Sequence, residues 1–114
     1  MKESKYQQKV LAYLNKRGAW CFTSHGGSQY QVAGLPDIIA SYKGIFLGLE
    51  LKTGTYQATE LQKSKLNNIQ ASGGVGLILR DDFVDLEKTL DYIDKYGKAP
   101  KQKPYKIEAS VIYD

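Results

Sequence analysis

Sulfur and imidazole are almost missing from this chain, which has one cysteine, Cys21, and one histidine, His25, in 114 residues. A lone cysteine excludes an internal disulfide, and one imidazole cannot build a Cys/His zinc constellation. Any metal must therefore be held mainly by oxygen. Long apolar runs are lacking too. Nothing approaches the roughly 18 continuous apolar residues of a membrane span, and Met1-Lys2-Glu3-Ser4-Lys5 leads into an amphipathic pattern instead of the apolar core of a signal peptide. A soluble, cytoplasmic protein with no membrane partner is expected. There is no internal repeat or low-complexity block, and only residues 98–104, basic and proline-containing, read as a linker.

What is present fits one compact domain spanning residues 1–114, with 42% hydrophobic composition, enough for a single core. The net charge of +4 is compatible with a phosphate-bearing partner and on its own decides little. Tyr6, Val10, Leu11 and Leu14 recur at helical spacing and Gly18 supplies a stop, so a helix is expected over residues 4–17, with Ser4 and Gln7 as its capping box. Residues 20–24, rich in aromatic and β-compatible side chains, read as a strand ended by Gly26-Gly27. Residues 38–42 and 45–52 are two apolar runs split by Lys43-Gly44, a hairpin signal although lysine is not the favoured first turn residue. Thr59 and Gln62 form a second capping box, opening a helix lined by Leu61, Leu66 and Ile69 and closed by Gly73-Gly74; a short strand over residues 75–79 follows. A third helix is expected from near Asp82 to Gly97, with Leu86, Leu90 and Ile93 on one face. The alternation of Tyr105, Ile107, Ala109, Val111 and Tyr113 then predicts a C-terminal strand. The fold class is α/β, with an αβββαβ core, a mixed central sheet flanked by helices, and a C-terminal helix and strand over residues 82–114.

The central hairpin carries the chemistry. If Lys43-Gly44 is a two-residue turn, Tyr42 faces Ile45 and, five positions along, Asp37 faces Glu50. Directly opposed residues hold their Cβ atoms about 4.5–5.5 Å apart, and like charges there destabilise a sheet unless something compensates them. A divalent cation would do so. Lys52 lies two residues beyond Glu50 and so shares the face of both carboxylates, while Leu47, Leu49 and Leu51 point to the other side. A three-residue turn would break the opposition. Phosphodiester hydrolysis calls for this residue set. Two carboxylates hold Mg²⁺, which keeps several waters and binds a phosphate oxygen, and a lysine orients the attacking water or neutralises the transition state. The backbone carbonyl of Leu51 offers a further oxygen ligand.

Gly34-Leu35-Pro36-Asp37 followed by Glu50-Leu51-Lys52 resembles the motif of the PD-(D/E)XK nucleases, and the αβββαβ order resembles the restriction-endonuclease-like core of that superfamily over about residues 3–80. Gly34-x-Pro36-Asp37, Glu50-x-Lys52 and Gln62 in the next helix are similar to the VRR-type branch, which includes small phage nucleases and structure-specific repair enzymes. The resemblance implies Mg²⁺ or Mn²⁺ held by Asp37 and Glu50, a catalytic Lys52, an accessory Gln62 and an acidic residue on the first helix, for which Glu3 is the candidate. It also implies DNA as partner, flaps or four-way junctions as candidate substrates, a homodimer, and a bacterial or phage-infected cell as setting.

Each assignment has a plainer competitor. Pro36-Asp37 also suits a turn before a strand, Glu50 and Lys52 a surface ion pair, and Gln62 is fully explained by its cap. Ser24-His25 is no nucleophile–base pair, because neighbouring strand residues point to opposite faces and no G-x-S-x-G elbow is present. His25 is instead assigned, with Ser24, Gly27, Ser28 and Gln29, to a loop that contacts DNA. Two alternatives remain: a non-catalytic DNA-binding module on the same fold, and an unrelated α/β protein acting through protein contacts.

Overall fold

The computed structural model describes residues 2–24 and 32–108. In chain order the elements are α1 (Glu3–Lys16), β1 (Trp20–Thr23), β2 (Ile38–Tyr42), β3 (Ile45–Lys52), α2 (Glu60–Ala71), β4 (Val75–Arg80) and α3 (Val84–Tyr96). The strands make one mixed sheet ordered β1-β2-β3-β4, antiparallel except for the parallel β3/β4 pair. The βαβ crossover through α2 gives that parallel pair its covering helix.

Strand alternation sorts the sheet into two unlike faces. Ile38, Ala40, Tyr42, Leu47, Leu49, Leu51, Val75, Leu77 and Leu79 point one way and close a core with Tyr6, Val10 and Leu14 of α1 and Leu86, Leu90 and Ile93 of α3. On the other face Gly48 pairs with Gly76, and α2 lies directly on both. A Cβ at Gly76 would stand 2.6 Å from the Leu66 carbonyl oxygen, and one at Gly48 2.5 Å from Ile69 Cδ1. At Gly76 the obstacle is backbone, so only glycine permits that approach, whereas at Gly48 it is the end of a side chain that can shift. On the α1/α3 side, Arg17 bridges Asp91 and Asp94 at 3.0 Å each, and the Tyr42 hydroxyl donates to Asp94 at 2.6 Å.

Several local expectations hold. Lys43 and Gly44 both have positive φ, 50° and 85°, the signature of a two-residue type I′ turn, and Tyr42 pairs with Ile45. Thr59 Oγ1 accepts from the Gln62 amide at 3.1 Å while Gln62 Oε1 accepts from the Thr59 amide at 2.9 Å, completing the capping box. Gly97 ends α3 in the left-handed conformation.

Three differ. α1 begins at Glu3 with Lys2 at its N-cap and no side-chain cap, so the Ser4/Gln7 box does not form. Glu3 thus sits in the first helical turn, where a negative charge suits the helix dipole. α3 starts at Val84, later than the expected Asp82, because Asp81 takes a positive φ of 61° and the Asp82 amide turns back to the Arg80 carbonyl at 2.7 Å. The C-terminal strand is not formed over residues 105–108. Asn67 takes both backbone groups of Tyr105, at 2.9 and 2.7 Å, so no ladder partner is left for it. The open edge of β4 is met by side chains instead: Gln102 bonds both backbone groups of Gly76, at 3.1 and 2.9 Å, and the Tyr105 hydroxyl accepts from the Ile78 amide at 3.0 Å. The rest of the expected strand, residues 109–114, lies outside the described part. Among the described residues no helix is long and apolar enough to cross a membrane.

Candidate active site

The turn at Lys43-Gly44 fixes the site. Its register pairs Ile38 with Leu49, and one step further along the hairpin places Asp37, just ahead of β2, opposite Glu50. Glu50 alternates with Leu49 and Leu51, both fully buried in the α1/α3 core, so its own side chain must take the α2 face. Asp37 is 7% exposed and Glu50 1%. Burying two carboxylates at adjacent sheet positions costs free energy unless each finds partners.

Asp37 Oδ2 accepts from the Leu51 amide at 2.8 Å, and the Asp37 carbonyl accepts from the Ser24 amide at 2.9 Å, extending the β1/β2 ladder by one rung. The Ser24 hydroxyl donates to the Pro36 carbonyl, so it braces the chain entering the site. Lys52 Nζ stands 3.4 Å from Glu50 Oε2. Among the described residues, Glu50 Oε1 is buried with no hydrogen-bond partner. Burial, and then the negative charge of Asp37, push the Glu50 carboxyl up to about 8, while Lys52 pulls the other way. The Lys52 ammonium therefore does not by itself offset the burial of the Glu50 carboxyl.

Leu51 and Lys52 also line a cavity of about 170 Å³ together with Glu3, Thr53, Tyr56 and Gln57. Asp37 and Glu50 do not line it, so Leu51 and Lys52 are the members of the proposed centre that reach this space. Glu3 reaches this cavity from the first turn of α1, but no cluster of three or more Asp, Glu, His or Cys side chains forms among the described residues. Gln62 stands at the N-terminus of α2 with its side-chain oxygen engaged in the cap. His25, Gly27, Ser28 and Gln29 lie outside the described residues. A larger cavity, about 510 Å³, opens at the far end of β4 between Gly73-Gly74 and residues 98–102, and no carboxylate lines it.

Tyr56 and Gln57 had no motif to mark them. Their loop is held by Arg80, whose guanidinium donates to the Gly54 carbonyl at 2.8 Å, and by Asp81, whose carboxylate oxygens accept from the Gly54 amide at 3.2 and 3.1 Å. The available clue was position, since this loop leaves the strand carrying Glu50 and Lys52, and loops positioned by a scaffold commonly carry function.

The donor set fits a divalent cation. Mg²⁺ is usually bound through one or two carboxylates while keeping several waters, and a dication supplies the positive charge that the unpartnered Glu50 Oε1 and the raised Glu50 carboxyl lack. Compared with known proteins, the chain matches no family model, no curated protein and no solved structure.

Proposed function

We propose that the protein is a metal-dependent endodeoxyribonuclease with a restriction-endonuclease-like core, hydrolysing phosphodiester bonds in DNA with Mg²⁺ or Mn²⁺. The observation that carries this reading is the buried Asp37–Glu50 pair with Lys52 beside Glu50 and Glu50 Oε1 unpartnered among the described residues. A purely structural ion pair has no use for a second buried carboxylate.

In this reading Asp37, Glu50 and the Leu51 carbonyl hold the cation. When bound, the cation supplies counter-charge for the phosphate and Lewis acidity toward water. Lys52 orients the attacking water and offers its ammonium to the oxygens that gain charge as the phosphorane forms. The Leu51 amide keeps Asp37 in place through its 2.8 Å hydrogen bond, and burial of the pair strengthens each electrostatic contact. Gln62 and Glu3 remain accessory candidates at the edges of this centre. The proposed setting is the cytoplasm of a bacterial or phage-infected cell, with flaps or four-way junctions among the candidate substrates and a homodimer as a candidate assembly.

The second reading is a non-catalytic DNA-binding module, and the raised Glu50 carboxyl favours it to this extent: a protonated Glu50 beside Asp37 is a tolerable pair without any cation. Cleavage separates the two. Labelled single-stranded, duplex, flap and four-way-junction DNA are incubated with Mg²⁺, Mn²⁺ or EDTA. The nuclease reading expects metal-dependent cutting that falls by about a hundredfold or more in Asp37→Ala and Lys52→Ala. Cutting equal to wild type in both variants, or none on any substrate, leaves the binding module.

A further inference from the structure

Among the described residues, α2 covers only part of its face of the sheet. α2 packs onto β3 and β4 through Gly48 and Gly76, whereas three aromatic rings stand in solvent, Trp20 and Phe22 on β1 and Phe46 at the start of β3: Trp20 is 68% exposed, Phe46 45% and Phe22 44%. Their placement follows from the register. Ser24, Asp37 and Glu50 form one row across β1, β2 and β3; Phe22, Ile39 and Gly48 form the next, and Trp20, Ser41 and Phe46 the one after. Alternation puts all three rings on the face that carries the carboxylates. Rows on one face are two residues apart, so Phe22 stands about 7 Å and Trp20 about 14 Å along the strands from the Asp37–Glu50 row. Their rings meet edge to face with centroids 5.2 Å apart.

We infer that this surface is a stacking platform for unpaired bases, which makes DNA with a single-stranded arm the substrate class; the inference rests on the nuclease reading above and deepens it. Stacking on exposed aromatic rings is the sequence-tolerant way to hold single strands, provided that positive charge flanks the path. The charge is on this side of the molecule. α2 carries two lysines against Glu60, and the 98–108 segment, tied to α2 through Asn67, carries four lysines against Glu108. The opposite face is balanced, α1 and α3 together carrying five lysines against five acids. A polyanion fits the basic side, whereas a second copy docked by the same face would bring two basic flanks together.

Trp20 is the only tryptophan, so its emission reports the contact without a label. Wild-type protein in EDTA is titrated with an oligothymidylate of about 12 nucleotides, while anisotropy of a labelled copy reports binding independently. The platform predicts quenching of Trp20 emission in step with binding, no quenching by a blunt duplex, and affinity weakened tenfold or more in Phe22→Ala. It is overturned by the absence of binding, by binding without quenching, by indifference to Phe22→Ala, or by an emission shift that follows protein concentration without DNA, which would give the face to a second copy. Cleavage without quenching removes the platform and leaves the nuclease reading. Quenching without metal-dependent cleavage does the reverse.

Discussion

The two faces of β3 obey opposite rules. Leu47, Leu49 and Leu51 are fully buried and interchangeable in kind, each filling space between α1 and α3. Between them, Gly48, Glu50 and Lys52 each do something that their neighbours cannot: Gly48 admits α2, Glu50 is buried with an unpartnered oxygen, and Lys52 stands beside it. An apolar face is held by area and volume and tolerates exchange at moderate cost. A polar face under burial is held by specific partners, and its shortfall in positive charge is what points to a ligand.

The comparison can be broken first on the apolar side. Leu49→Ala removes a fully buried side chain from the middle of the core and should cost about 2–5 kcal/mol in urea unfolding, with no change in the metal response of the folded fraction. Gly76→Ala strikes the other face. Its added Cβ meets the backbone carbonyl of Leu66, which cannot rotate away, so a loss of about 1–3 kcal/mol is expected. A variant as stable as wild type would show that α2 can lift from the sheet without penalty. Both losses are read from the same denaturation curves.

A pH dependence sharpens the contrast. The Glu50 carboxyl titrates near 8 in the fold against 4.5 as a free side chain. Between those values the native state holds a proton that the unfolded chain has released, so stability must fall as pH rises through that window in the absence of divalent ions. Glu50→Gln removes the titration and should flatten the decline. The check is Tm against pH in EDTA for both proteins, and parallel curves would contradict the burial argument.

The parts of this design that were legible in the sequence are those governed by local rules. A two-residue turn at Lys43-Gly44 dictates the register, and with it the meeting of Asp37 and Glu50. The capping box of Thr59 and Gln62 and the stop at Gly97 are equally local. What escaped reading depends on residues distant in the chain. Gly48 and Gly76 look like strand breakers until α2 is laid on them. Tyr105 alternates as a strand residue should, yet Asn67, on a helix nearly forty positions earlier, captures its backbone. The loop carrying Tyr56 is fixed by Arg80 and Asp81, whose role no spacing announces. At the start of α1 a good local signal, Ser4 with Gln7, lost to a helix that begins one residue earlier, as helix ends often do.

The central claim is that the buried carboxylate pair is a cation site, and calorimetric titration of Mn²⁺ into the protein tests it most directly. A cation requires Glu50 ionised, so binding near neutral pH should release a proton, seen as a heat that changes with the ionisation enthalpy of the buffer. The account predicts saturable binding with proton release in wild type and loss of both in Asp37→Ala and Glu50→Gln. Absence of binding in wild type, or the same isotherm in all three proteins, would contradict it.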